Sequence, residues 1–255
     1  MIAGAAILMF RISGVAAILL LVTGLAVEGT GPARGEVVLG GYIDEAPSDP
    51  AFEAFRARLL AAVRARDTEA VLALSSPDIL ASYGGHEGHD GFRSLLDPDP
   101  ADMAPEYAAR IDEMREGYWL ELEEVVAGGG AFDDDGYFLA PWSWVWEQRL
   151  DEVRAADGLG DMDITEQAWV AADAVAVHAA ADANSAVIAT LGRGRVRVLA
   201  DTVNEASADW ARIELPDGRT GLIRREGYRH GIDFRAIFEQ NDKGEWKMIV
   251  FVAGD

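Results

Sequence analysis

Apolar residues return at steps of three and four along "SDPAFEAFRARLLAAVRARDTEAVLAL", with Phe52, Phe55, Leu59 and Val63 on one side and arginines on the other. That spacing predicts a helix with a core-facing stripe. Asp49 can cap its free N–H groups, and Pro50 suits its first turn. Val71, Leu72 and Leu74 continue as a short second helix that stops at "SSPD", where Pro77 disfavours continuation, and "ILASYGG" reads as a strand running into a turn. The glycine-rich "GGHEGHDGFRSLL" reads as a loop. A longer helix follows through Tyr107, Ile111, Met114, Tyr118, Leu122 and Val125, and Gly128, Gly129 and Gly130 end it. In "GYFLAPWSWVW" the period changes to two: Trp142, Trp144 and Trp146 fall on one face of an extended segment, with Pro141 assigning it to an edge. "LDEVRAADGLGDMDITEQ" reads as a polar linker.

From Ala168 onward the pattern is short alternating runs broken by turns: "AWVAADAVAVHA", "SAVIATLGRGRVRVLA" and "DWARIELPDGRTGLI". In the last of these Pro216 pre-sets a turn dihedral and Gly218 can take a positive φ, so two strands pair with Ala211, Ile213 and Leu215 on one face. This half is expected to pack as all-β. The final segment, "IDFRAIFEQNDKGEWKMIVFVAGD", reads as another hairpin. Ile232, Phe234, Ala236 and Phe238 share one face of its first strand, and Trp246, Met248, Val250 and Val252 share one face of its second. Such a hairpin needs a partner surface.

Two features change the picture of where this chain works. The first residues place Arg11 ahead of an uncharged run of 16 residues, Ile12 to Val27, that ends in small residues. That is the plan of a secretory signal over 1–27, with Met1 or Met9 as the start and cleavage after Ala26; the alternative is an uncleaved anchor, although a spanning helix needs about 20 residues. The 255 residues carry 22 Lys and Arg against 44 Asp and Glu, a formal charge of −22. Such acidity repels phosphate backbones and anionic lipid, so nucleic acid is excluded as a partner. There is no cysteine, hence no disulfide framework, thiol chemistry or cysteine metal site.

The order of a "VxV" strand at Val175 and Val177, "SAVIATLGRGRVRVL", a strand led by Trp210 and "LPDGRTGLI" resembles a bacterial SH3-type domain, which implies a small barrel over 168–228. Family members commonly continue the first strand into an Arg-containing, Gly-Pro-Ser-type loop that often contributes ligand contacts. Here "VHAAADANSAV" stands in its place, so the resemblance carries a fold more firmly than a ligand. The helix pair ending in "ARDTEAVLALSSPDIL", together with a closing hairpin containing "GEWKMIVFV", resembles the beginning and end of an NTF2-like α+β cone. The terminal "AGD" after an aromatic-rich strand is similar to exported bacterial SH3-containing proteins. The expected organisation is a signal at 1–27, a linker at 28–48, an α+β domain at 49–150, a linker at 151–167, the SH3-like barrel at 168–228, and a hairpin at 229–255 that completes the α+β domain. The alternative is two consecutive modules, with the hairpin extending the barrel.

Candidate chemistry is sparse. His86, His89 and Asp90 offer imidazole and carboxylate ligands for a metal such as zinc, against the plain reading of a solvated turn. Asp133–Asp135 lacks the alternating acids and closing glutamate of a calcium loop. No G-x-S-x-G elbow, P-loop or dinucleotide fingerprint occurs, and no cofactor is implied. Trp142 and Trp144 could stack a sugar or peptide, or else supply core. His178 and Trp210 are the candidate ligand contacts of the barrel. The expected function is a non-enzymatic binding or scaffolding protein of the bacterial cell envelope, periplasmic or otherwise exported, engaging cell-wall peptide or an envelope protein. The alternatives are a small-molecule binder or enzyme with a pocket in the cone, and a metal-dependent envelope hydrolase.

Overall fold

The computed structural model describes residues 42–82, 86–199 and 209–254, without the side chains at 82, 86, 87 and 156. The expected signal, 1–27, and the linker up to Gly41 lie outside the described residues. The Asp49 carboxylate accepts from the backbone N–H groups of Ala51 (2.8 Å) and Phe52 (3.1 Å), so α1 (Pro50–Arg64) starts at its cap. Asp67 caps α2 (Thr68–Ala73) in the same way, and β1 (Ser75–Ser82) and β2 (His86–Glu87) follow.

Within the glycine-rich segment, expected as a loop, residues 86–96 form β2 and then α3 (Gly88–Leu96). Burial of Phe92, Leu95 and Leu96 on one side of α3 outweighs the roughly 1 kcal/mol that each helical glycine costs. The expected long helix is broken at Arg110 into α4 (Pro105–Ala108) and α5 (Ile111–Ala127), which leaves Tyr107 exposed. After Gly128 come β3 (Ala131–Phe132) and β4 (Phe138–Ala140). The tryptophan series is then helical, α6 (Trp142–Gln148), and the expected linker begins as α7 (Leu150–Asp157). At 100° per residue a period of two does not keep one face. Trp142 and Trp146 pack in one cluster with Val153 and Trp169, while Trp144 points elsewhere and lies under the Arg235 guanidinium at 5.7 Å.

Residues 42–48, expected as linker, are also held in place. Gly130 N–H donates to Ile43 O and Glu45 N–H to Gly130 O, both at 2.9 Å, and Arg56 grips the Asp44 carboxylate at 2.8 and 2.9 Å. A side chain at Gly129 or Gly130 would collide with the backbone at Ile43 or Leu139, and both have positive φ, 68° and 155°. The two glycines therefore permit a close backbone approach as well as ending a helix.

The second half forms an antiparallel sheet from β5 (Gln167–Val170), β6 (Val175–His178), β7 (Val187–Leu191), β8 (Gly194–Val198), β9 (Trp210–Glu214), β10 (Thr220–Arg224) and β11 (Tyr228–His230), ordered β11-β5-β8-β9-β10-β6-β7. The β9–β10 turn has Gly218 at φ 80°, and Ala211, Ile213 and Leu215 are buried together. Among the described residues the sheet is open, not a closed barrel: its outer strands β7 and β11 pair with β6 and β5 and not with each other.

β12 (Arg235–Gln240) and β13 (Trp246–Val252) leave that sheet and enter another, ordered β2-β1-β13-β12-β4-β3. β13 runs parallel to β1, and β12 lies antiparallel to β4. Its core side presents Phe138, Phe238, Met248 and Phe251 to α1, α3 and α5. The expected face of β13 is corrected at its midpoint. The partner of Ile237 is Val250 and that of Phe238 is Met248, so Ile249 is an extra residue. This bulge reverses the alternation, burying Phe251 in place of Val250 and Val252. Ile232 precedes β12 and is partly exposed, whereas Phe234, Ala236 and Phe238 are buried.

Candidate functional site

β5 is buried on both faces. Ala168 and Val170 enter the core of the second sheet; Gln167 and Trp169 turn toward α6 and α7. There the Asp157 and Arg195 side chains are fully buried and paired, with Arg195 Nε donating to Asp157 Oδ2 at 2.7 Å and Nη2 to Oδ1 at 2.9 Å. Arg195 also donates to Gln167 Oε1 (3.1 Å) and Gly160 O (3.0 Å). Gln167 and Trp169 both donate to Glu147, Trp169 Nε1 at 3.0 Å. Every donor that the group buries has an acceptor, the condition for a polar cluster to hold elements in register. Trp169 meets Trp142 edge to face at 6.3 Å between ring centroids.

Beside this joint lies a cleft of about 710 Å³ between α5 and the second sheet. One wall is the α5 face of Gly117, Leu120, Glu121 and Glu124; the other carries Arg193, Arg225, Tyr228 and Arg229, with Tyr42 and Trp142 at the side. Arg229 is the buried charge here. It donates to Glu124 (2.5 Å), Glu121 (3.2 Å) and the carbonyl of Phe234 (3.1 Å). Burial pushes the Glu121 carboxyl above its usual pKa, and the Arg229 charge offsets only part of that. Burial alone would lower Arg225, but Asp233, Tyr228 and Glu121 outweigh it and leave its pKa raised. Arg193 stacks over Tyr42 (4.6 Å) and Trp142 (5.8 Å), with its Nε on Asp173 at 2.7 Å, and Arg225 lies 5.0 Å over Tyr228.

Gly117 sits inside α5 with nothing within 4 Å of the place a Cβ would take. Gly117→Ala is therefore expected to stabilise the protein by about 1 kcal/mol, seen as a higher urea midpoint at unchanged slope.

Of the candidate site residues named in the sequence, Trp142 alone reaches this cleft, and it is almost wholly buried. Trp144 lies on the other side of α6. His178 and Trp210 do meet, edge to face at 5.2 Å, with Arg224 over the indole at 5.4 Å and Ser185 Oγ 3.5 Å from His178 Nδ1. His89 Nε2 lies 3.5 Å from Ser75 O, and Asp90 is exposed in the first turn of α3. The His86 side chain is outside what is described, and among the described residues no three His, Asp or Glu side chains gather as for a metal. The space that a cone-type pocket would take is filled by Phe52, Phe55, Phe138 and Phe238. Glu121, Glu124, Arg225 and Arg229 carry no local signature, because the cleft joins segments about a hundred positions apart. The signals that could have found it are a glycine inside a helix and the close arginines of "RREGYRH" in an acidic chain.

No family model, curated protein or solved structure matches the chain. Among the described residues no helix is long and apolar enough to cross a membrane.

Proposed function

We propose that this is a non-enzymatic binding protein, exported to the cell envelope, whose ligand occupies the cleft between α5 and the second sheet. The cleft itself carries the reading: its volume falls within the roughly 300–1,000 Å³ of small-ligand sites, and it combines aromatic rings with a few fixed charges. Its lining holds no serine, threonine, histidine or lysine among the described residues, and its guanidiniums are already engaged by carboxylates. We read the module that forms one wall as of the SH3 type, though its sheet is open; the reading rests on the sequence pattern of short strands and on the Leu215–Gly218 turn. The α+β part with the returning β12–β13 hairpin is its partner. Export rests on the pattern of residues 1–27.

A second reading places the ligand at His178, Trp210 and Arg224, where an indole and an imidazole meet edge to face beneath a guanidinium. Solution NMR of the protein with a library of short peptides and saccharide fragments separates the two. Shifts gathered on Gly117, Leu120, Tyr228 and Trp142 are expected. Shifts confined to His178 and Trp210 would move the site to the second sheet, and no localised shifts with any fragment would refute a binding role.

A further inference from the structure

We infer that the cleft takes a primary ammonium on an aliphatic stem, the lysine-type side chain of a peptide, seated between Glu121 and Glu124. The inference rests on the cleft reading above and adds to it the chemistry of the occupant. Glu121 and Glu124 stand three residues apart on α5, neighbours on one helix face. Both lean on the same guanidinium, Arg229, and the other cation that faces Glu121, Arg225, is itself paired with Asp233, so the carboxylates here outnumber the guanidiniums by one. The surplus negative charge is in a costly place: the side chains of Arg229 and Glu121 are only 8% and 30% exposed. A second cation relieves that surplus at the point where burial most opposes it.

The other charges lead to the same sign. Arg225 is answered by Asp233 (3.1 Å), Arg193 by Asp173 (2.7 Å) and Arg224 by Glu226 (3.1 Å). An anionic ligand would have to displace these carboxylates and enter against a chain of formal charge −22. An ammonium needs no such exchange, since Glu124 is 60% exposed and open to a newcomer. The stem has its own surface: Leu120, Ala127 and Pro141 line the same cleft, and Leu120 is half exposed without a ligand. That combination, an apolar track leading to a paired carboxylate, favours a lysine-type chain over a compact inorganic cation.

The test is calorimetric titration of the whole protein with acetyl-Ala-Lys-Ala-amide and with its norleucine counterpart, which keeps the stem and lacks the ammonium. The lysine peptide is expected to bind at least about tenfold more tightly, the size of one charge-assisted hydrogen bond. Its affinity should fall with added salt, and should fall in Glu124→Gln while the norleucine peptide is unaffected. Acidification should weaken it as Glu121 takes up a proton, with Glu124, Asp233, Arg225 and Arg229 as the charged groups that face Glu121. Gly117→Phe fills the cleft from an open position in α5 and should abolish binding without loss of fold. Equal affinity for the two peptides, or indifference of the lysine peptide to Glu124→Gln, overturns the ammonium while leaving the cleft, provided Gly117→Phe still blocks. Failure of wild type to bind the lysine peptide also overturns the ammonium, and the fragment mapping above then decides whether the cleft reading survives.

Discussion

Phe52→Ala is expected to remove about 3–5 kcal/mol of stability, read as a large fall in the urea midpoint. Phe52 is fully buried on the inner face of α1, and five aromatic rings surround it: Phe138 at 4.2 Å, Trp246 at 4.9 Å, Phe238 at 5.5 Å, Phe132 at 5.7 Å and Phe55 at 5.9 Å between centroids. These rings come from a helix, from the β3–β4 pair and from the β12–β13 hairpin, elements that meet only when the chain has returned from the second sheet. A cavity at their centre cannot collapse by moving one of them, because each ring is fixed by a different backbone. The loss is a large part of the roughly 5–15 kcal/mol that holds a domain together. Phe52→Leu keeps most of the apolar volume and should cost clearly less. A small effect of Phe52→Ala would mean that the closing hairpin is not packed on α1.

The parts of this architecture that a single sequence reveals are those whose causes are local. Asp49, Pro50 and the Phe52–Val63 stripe place α1 because cap and period agree within one segment. Pro216 and Gly218 place the β9–β10 turn for the same reason. Where two periods fit equally, the pattern misleads. Trp142, Trp144 and Trp146 satisfy a strand, but Trp142 and Trp146 also stand four apart, and a proline just before Trp142 suits a helix start as well as a strand edge. Gly88 and Gly91 suggest a loop, yet Phe92, Leu95 and Leu96 bury enough to hold α3. Partners of strands lie beyond either kind of pattern. Nothing within residues 235–252 says that β13 will lie beside β1, and the extra residue Ile249, which turns Phe251 inward, is set by that pairing. The cleft belongs to this class, since Glu121 and Arg229 acquire their meaning only from each other.

The second large effect concerns Asp157, where the acidic composition made a helix resemble a linker. Asp157→Ala is expected to cost about 3–5 kcal/mol, because it leaves the Arg195 guanidinium buried without its counter-charge, with only Gln167 Oε1 and Gly160 O to receive it. Water cannot repair the loss at a side chain with no exposed surface. Replacing both partners, as Asp157→Leu with Arg195→Met, should recover much of the stability, since the desolvation of both charges is then avoided as well. The comparison of the single and double variants by urea unfolding is therefore the informative one: a double variant as unstable as Asp157→Ala would show that the pair is needed for more than mutual neutralisation. The consequence reaches the cleft. Arg195 holds Gln167, Gln167 and Trp169 hold Glu147, and Trp169 abuts Trp142 in the cleft wall. If that chain of contacts positions the wall, the single variant should weaken ligand binding even below its unfolding transition, whereas the double variant, with β5 still packed on α6, should bind more nearly as the wild type does.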